Sequence, residues 1–148
     1  METIALVTGG FDPIHVGHIK LLKGARRFGD IVVVGVNSDE WLIRKKGAAF
    51  MTWRERAIII GNLSMIYNGF AFDDSDDTAC DAIRRTLEVW PESNVVFCNG
   101  GDRVAGNTPE FEAYKDHPRV KFRWDVGGDK MQSSSDLLAK WENRHANK

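Results

Sequence analysis

The sequence predicts an α/β fold: a doubly wound, mostly parallel sheet of about five strands with helices on both faces. Three observations lead there. Short apolar runs rich in β-branched residues alternate with amphipathic runs along the whole chain. "IVVVGV" at 31–36 is apolar throughout, which suits a strand covered on both faces. No internal repeat, low-complexity tract or linker interrupts the alternation, so residues 1–148 are expected to form one domain.

The elements follow in order. "TIALV" at 3–7 reads as a buried strand stopped by Gly9 and Gly10. A helical pattern runs from about Val16 to Phe28, with Ile19, Leu22, Ala25 and Phe28 at helical spacing, and Gly29-Asp30 ends it. The second strand, 31–36, leads into "NSDEWLI", a short helix capped by Asn37 or Ser38 with acids in its first turn. "RKKGAAFMT" at 44–52 is basic, contains a glycine and lacks a period, so it reads as a loop. Thr52 then caps a helix over 53–63, with Glu55 completing a capping box. "GFAF" at 69–72 is a weak strand. The acidic run 73–77 is expected to cap the helix that carries Ala79, Ile83, Leu87 and Trp90 on one stripe, and Pro91 stops that helix. "NVVFC" at 94–98 is a strand ended by Gly100, Gly101 and Asp102. Residues 103–118 read as polar and irregular around a short helix at "PEFEAY". "VKFRW" at 120–124 is the last strand, and "SSSDLLAKWE" at 133–142 a capped helix with Leu137, Leu138 and Trp141 on one side.

Composition narrows the function. With 43% hydrophobic and 28% charged residues and a net charge of −1, the chain is an ordinary globular protein and not a bulk nucleic-acid binder. No apolar run is long enough to span a bilayer and no signal-peptide pattern opens the sequence, so a cytoplasmic protein without a membrane partner is expected. Cys80 and Cys98 read as two reduced, buried thiols rather than a disulfide or metal pair.

The chemically unusual residues lie just after strands: 9–18, 99–103 and 133–135. Ligands of open parallel sheets bind beyond the carboxyl ends of strands. His15 and His18 are three apart in the first turn of a helix and share one face with its free N–H groups. Gly9 and Gly10 allow backbone to approach a ligand, and Gly17 keeps the surface open. Together these suit a polyphosphate, with imidazole N–H donors at the transferring and leaving phosphates. The plain alternative is a pair of surface polar residues; a metal pair would need a third ligand, and none stands nearby.

"GGFDPIHVGH" resembles the HxGH signature of the nucleotidylyltransferase superfamily. "GDIVVVGVNSDE" resembles the second-strand region of its cytidylyltransferase-like branch, and "RKKG" with "WRERAIIIGNL" resembles that branch's lysine loop and Glu-x-Arg helix. "NGGD" resembles a turn of heptose 1-phosphate adenylyltransferase domains; the branch also includes glycerol-3-phosphate cytidylyltransferases. "QSSSDLL" stands where the family has a Ser-Thr-rich motif. The stretch between Lys46 and Arg56 is shorter than in the heptose enzymes and lacks their Arg-Pro.

The resemblance implies a Rossmann-like fold and transfer of a nucleoside monophosphate from an NTP, ATP or CTP, to a sugar- or polyol-phosphate, with pyrophosphate released. It implies that His15 and His18 stabilise the transferring phosphate. Lys46, with Lys45 as substitute, would close on the phosphates as part of a lid formed by 44–52. Backbone of Gly9, Gly10 and Phe11 would face the phosphates. Arg56 matches the motif arginine; its plain alternative is a surface i,i+4 ion pair. Gly101 and Asp102 would lie near base or acceptor, and Ser133, Ser134 and Ser135 near the β- and γ-phosphates. Mg²⁺ is expected with the NTP, held mostly by phosphates and water; no protein ligand set is visible, and Asp12 is the one candidate. The expected partners are the NTP and a small phosphorylated acceptor, with a homodimer as the assembly. The competing readings are a pantetheine-phosphate or nicotinamide-mononucleotide adenylyltransferase, and a non-catalytic nucleotide-binding regulatory module.

Overall fold

The computed structural model describes residues 2–101, 103–128 and 134–146. Strands β1 (Thr3–Gly9), β2 (Ile31–Val36), β3 (Asn68–Ala71), β4 (Asn94–Cys98) and β5 (Val120–Arg123) form one sheet in the order β3-β2-β1-β4-β5. All four pairings are parallel. The chain winds outward from β1 to β3, returns to lay β4 against the other side of β1, and continues to β5. The winding therefore reverses between β1 and β4, and the crevice beyond their carboxyl ends is where such sheets take ligands.

The helices are α1 (Val16–Ala25), α2 (Asp39–Lys46), α3 (Trp53–Gly61), α4 (Cys80–Val89), α5 (Pro109–Tyr114) and α6 (Ser134–Ala146). Alternation along the strands splits the core in two. Ala5, Val7, Val32 and Val34 pack with Leu22 and Ala25 of α1 and Ile60 of α3. Ile4, Leu6, Val33 and Phe97 pack with Ala82, Ile83 and Leu87 of α4 on the opposite face. Burial on both faces is the reason the central strands lack polar positions. None of the described helices is long and apolar enough to cross a membrane.

Several elements differ from expectation for identifiable reasons. Residues 44–46, expected in a loop, form the last turn of α2. Basic side chains favour a helix C-terminus, and Gly47, at φ 88°, returns its N–H to Ile43 O at 2.9 Å as a left-handed cap. The first helix is α-helical only to Ala25; Arg26–Phe28 tighten into a 3₁₀ turn. The short helix expected at "PEFEAY" is α5, and the polar stretch before it holds a 3₁₀ turn at Ala105–Asn107 that was not expected. The described last helix runs on to Ala146, with Leu137 and Leu138 half-buried and Trp141 exposed. Cys98 is buried and Cys80 only half-buried, and neither forms a disulfide.

The largest correction concerns the acidic run. It does not cap α4, whose N-cap Ala79 has no side-chain cap bond. Asp74 instead turns back to the end of β2, where its carboxylate accepts from Asn37 Nδ2 (3.0 Å), Ser38 N (2.8 Å) and Ser38 Oγ (2.7 Å). Ser38 Oγ in turn accepts from Trp41 N and caps α2.

Two more buried charges tie the rim of the sheet. Asp12, 1% exposed, accepts from Phe50 N and Met51 N, both at 2.7 Å. This fastens the turn after α2 to the loop after β1. Arg56, also 1% exposed, is not the surface ion pair of the plain alternative. Its guanidinium donates to Gly10 O (2.8 Å), Asn37 O (2.7 Å), Met51 O (3.1 Å) and Asp39 Oδ1 (2.7 Å). One side chain on α3 thus holds the loops after β1 and β2 and the turn after α2.

Arg56→Met is expected to destabilise the chain by about 3–5 kcal/mol, because it leaves three backbone carbonyls and Asp39 without their donor. Arg56→Lys should recover little, since an ammonium lacks the planar fork that reaches diverging acceptors. Urea midpoints at constant m-value measure both; near-wild-type midpoints would remove Arg56 from this structural role.

Candidate active site

At the switch point between β1 and β4 lies an open cavity of about 520 Å³, within the range of small-molecule sites. The loop after β1 and the N-terminus of α1 form its floor. His15 is the N-cap of α1 in extended conformation (φ −147°), and its Nδ1 accepts from Gly17 N at 3.1 Å. His18 reaches back so that its Nδ1 accepts from His15 N at 3.1 Å. The rings stack with centroids 3.8 Å apart. In a neutral ring with an accepting Nδ1, the proton belongs on Nε2. The two histidines are thus a reciprocal cap as well as a pair, and local hydrogen bonds fix their tautomer.

The electrostatics agree. Burial, then the neighbouring His15 and Lys46, hold His18 down to a pKa of about 3. Its ring is neutral at pH 7. An anion arriving in the cavity opposes both Coulombic contributions and favours the protonated ring.

Phe11 supports this arrangement from behind. It has φ 52°, a left-handed conformation that costs a non-glycine residue roughly 1–3 kcal/mol. Its ring is 3% exposed and meets His18 edge-on at 4.9 Å. A Cβ at position 9 would lie 3.2 Å from that ring, and one at position 10 would lie 3.0 Å from Leu42 Cδ2. Gly9 and Gly10 therefore make room for the protein's own packing as well as lining the cavity.

The walls come from both sides of the switch. Over β2, α2 contributes Trp41 and Lys46. Over β4 stand Asn99, Gly100 and Gly101, the last at φ 63° with open space where a Cβ would be. Arg103 and Asn107 continue that wall. Arg103 also reaches Asn107 O (3.2 Å) and Glu110 Oε1 (3.5 Å), and Glu110 itself is buried. Ser134 and Ser135 open α6 at the rim, and Ser134 Oγ donates to Pro13 O at 2.7 Å, docking α6 onto the loop after β1. No described lining residue is a carboxylate.

The structure brings His15, His18, Lys46, Gly9, Gly10, Phe11, Gly101, Ser134 and Ser135 around this one cavity. It does not bring Arg56, whose hydrogen bonds all stay inside the protein, behind the floor. Asp12 is committed to two backbone donors and is no open metal ligand. Among the described residues no three His, Cys, Asp or Glu side chains converge as a metal site. Asp102 and Ser133 lie outside the described residues. Sequence reasoning misses Trp41 and Asn107, and gives Asn99 and Arg103 no role of their own within the stretch 99–103 that it singles out. Trp41 and Asn99 carried a usable signal, since both follow a central strand by only a few residues.

Residues 6–117 match the family model described as cytidylyltransferase-like. The bifunctional protein HldE of Syntrophotalea carbinolica is 39% identical over 117 residues, covering 78% of this chain and 21% of that protein. HldE of Geotalea uraniireducens is 42% identical over 111 residues, covering 71% and 21%. The chain thus spans about a fifth of the length of these curated relatives. The crystal structure of a lipopolysaccharide core biosynthesis protein from Thermoplasma volcanium superposes with a TM-score of 0.62 at 21% identity, covering 90% of this chain and 99% of that one. A bifunctional NMN adenylyltransferase/ADP ribose pyrophosphatase from Francisella tularensis superposes with a TM-score of 0.67 at 14% identity, covering 97% and 42%. The two superpositions speak for the fold, and the matched span of sequence establishes that the chain belongs to the cytidylyltransferase-like family.

Proposed function

We propose that this chain transfers a nucleoside monophosphate from an NTP to a sugar- or polyol-phosphate and releases pyrophosphate. The observation that carries the reading is the stacked histidine pair at the N-terminus of α1, in a cavity whose described lining holds Lys46 and Arg103 and no carboxylate. A phosphate oxygen of the acceptor attacks the α-phosphorus. The bond from that phosphorus to the bridging oxygen breaks, and the electron pair leaves with pyrophosphate. An acceptor phosphate is already ionised at pH 7, so this chemistry needs no general base. It needs donors where negative charge accumulates, and Nε2–H of the histidines, the first-turn N–H groups and Lys46 supply them.

Similarity to the HldE proteins, together with the Gly-Gly turn after β4, favours a sugar phosphate as acceptor and ATP as donor. Ser134 and Ser135, with the N-terminus of α6, suit the β- and γ-phosphates. Mg²⁺ fits this site as the counter-ion of the NTP, bound by phosphates and water, because Asp12 is already engaged and the described residues offer no ligand set.

Pyrophosphate release, measured with ATP and CTP against a panel of sugar- and polyol-phosphates, tests the reading directly. His18→Ala is expected to lower kcat on the order of 10²-fold while the Kd for NTP moves much less. Near-normal turnover in that variant would dismiss the role of the pair. Nucleotide binding without any pyrophosphate release would identify a non-catalytic module.

His18 also makes stability depend on pH. Its ring is held at about 3 in the folded chain, against 6.5 for an ordinary histidine. Between those values the unfolded chain binds the extra proton, so stability is lost as pH falls below about 6.5 and is unaffected above it. His18→Asn keeps an acceptor for His15 N but cannot titrate. Its urea midpoint should therefore fall less steeply than that of the wild type between pH 6.5 and 4; parallel curves would contradict the buried neutral ring.

A further inference from the structure

We propose that Trp41 is the platform for the acceptor, and that it makes the chain select a cyclic sugar phosphate over an open-chain polyol phosphate. This rests on the transfer reading above and deepens it.

Besides the two histidines, Phe11 and Trp41 are the aromatic side chains among the described lining of the cavity. Phe11 is not available to a ligand, being 3% exposed with its ring closed over Gly9. Trp41 is half-buried and faces the same space as His18 and Lys46. Its ring lies near Gly10, where a Cβ would be 3.5 Å from Trp41 Cζ3, and Lys45 Nζ sits 5.9 Å from the ring centroid. The backbone beneath it is fixed, with Trp41 N bonded to Ser38 Oγ and Ser38 clamped by Asp74. An indole on a fixed backbone, half-buried in a polar cavity, offers an apolar surface to a ligand.

The topology says which substrate meets it. The phosphates of the NTP belong over the N-terminus of α1, at the centre. The wall over β4 carries Gly100 and Gly101 between Asn99 and Arg103, and that turn, without side chains, suits a planar base. Trp41 stands on the other wing, over β2, beside Lys46. That wing offers a flat apolar face with cations next to it. The matching ligand has a C–H-rich ring face and a phosphate at its edge, which describes a pyranose or furanose phosphate. A three-carbon polyol phosphate has the charge but too little apolar face to cover an indole.

The test is steady-state kinetics of the wild type, Trp41→Ala and Trp41→Phe with glucose 1-phosphate, mannose 1-phosphate, a heptose 1-phosphate and glycerol 3-phosphate. The wild type should prefer a cyclic acceptor. Trp41→Ala should raise the acceptor KM about tenfold with the NTP KM within about twofold, and Trp41→Phe should restore most of the loss. A raised NTP KM would place the base on Trp41 and overturn the proposal, as would unchanged kinetics or a wild-type preference for glycerol 3-phosphate. Calorimetric titration of the same sugar phosphates, without NTP, separates this from failure of the transfer reading. Binding weakened by Trp41→Ala in a chain that releases no pyrophosphate keeps the platform and removes the reaction. No binding of any cyclic acceptor to the wild type removes the platform. Circular dichroism checks the fold of each variant, and Trp41→Phe alone carries the comparison if Trp41→Ala does not fold.

Discussion

Arg56 is the constraint on which the rim of this protein depends. A parallel sheet ends in loops, and loops alone cannot hold catalytic geometry. Here one buried guanidinium bonds the loop after β1 at Gly10, the end of β2 at Asn37, the turn after α2 at Met51, and Asp39 on α2. The five-donor fork of arginine is the side chain that can do this. Asp12 and Asp74 repeat the device with carboxylates aimed at backbone N–H groups. The three charges occupy the interior of the rim, so the surface above them is left to side chains that face the cavity. Lys46 is an example: its position follows from α2, whose start is set by Ser38 and Asp74 and whose end by Gly47.

The histidine pair follows the same economy of means. Each Nδ1 satisfies a backbone N–H that the first turn of a helix would otherwise leave open. The same two bonds orient both rings and assign their protons. Structural capping and chemical readiness are therefore one arrangement, and removing either ring disturbs both. The edge-on contact with Phe11 adds the third support, and the left-handed backbone of Phe11 is the strain that this support requires.

Much of this was legible in the sequence. The alternation of strand and helix, the two-sided burial of 31–36 and the N-cap at Thr52 all rest on local sequence and survive in the fold, although Glu55, expected to complete a capping box, accepts from Thr52 Oγ1. The residues just after strands found the cavity, because topology puts every such position of a parallel sheet at one edge. What was not legible depends on contacts distant in sequence. Asp74 is 36 residues from Ser38 and Asp12 is 38 from Phe50. No window along the chain reveals such a pair, so the acidic run was read as a local cap and Arg56 as a ligand residue or surface pair. Asn107 escapes for a related reason: it ends a short 3₁₀ turn that has no period to read, whereas the helix at Pro109–Tyr114 beside it is legible.

The distribution of charge closes the physical account. The chain carries 20 basic and 21 acidic residues, so nothing in its total charge points to an anion. The acids are placed elsewhere: Asp12, Asp74 and Glu110 are buried against donors or within the core, and Asp81 pairs with Arg84 and Arg85 on the outer surface of α4. The described cavity lining is left with Lys46, Arg103 and the imidazoles of His15 and His18, beside two helix N-termini. Burial first, and then the neighbouring His15 and Lys46, disfavour the protonated His18 ring in the free protein. A bound anion opposes the two Coulombic contributions of His15 and Lys46. The fold thus gathers cations and helix N-termini, without a described carboxylate, at the switch point, on a rim held by Arg56 and its partners, and such a surface favours an anion.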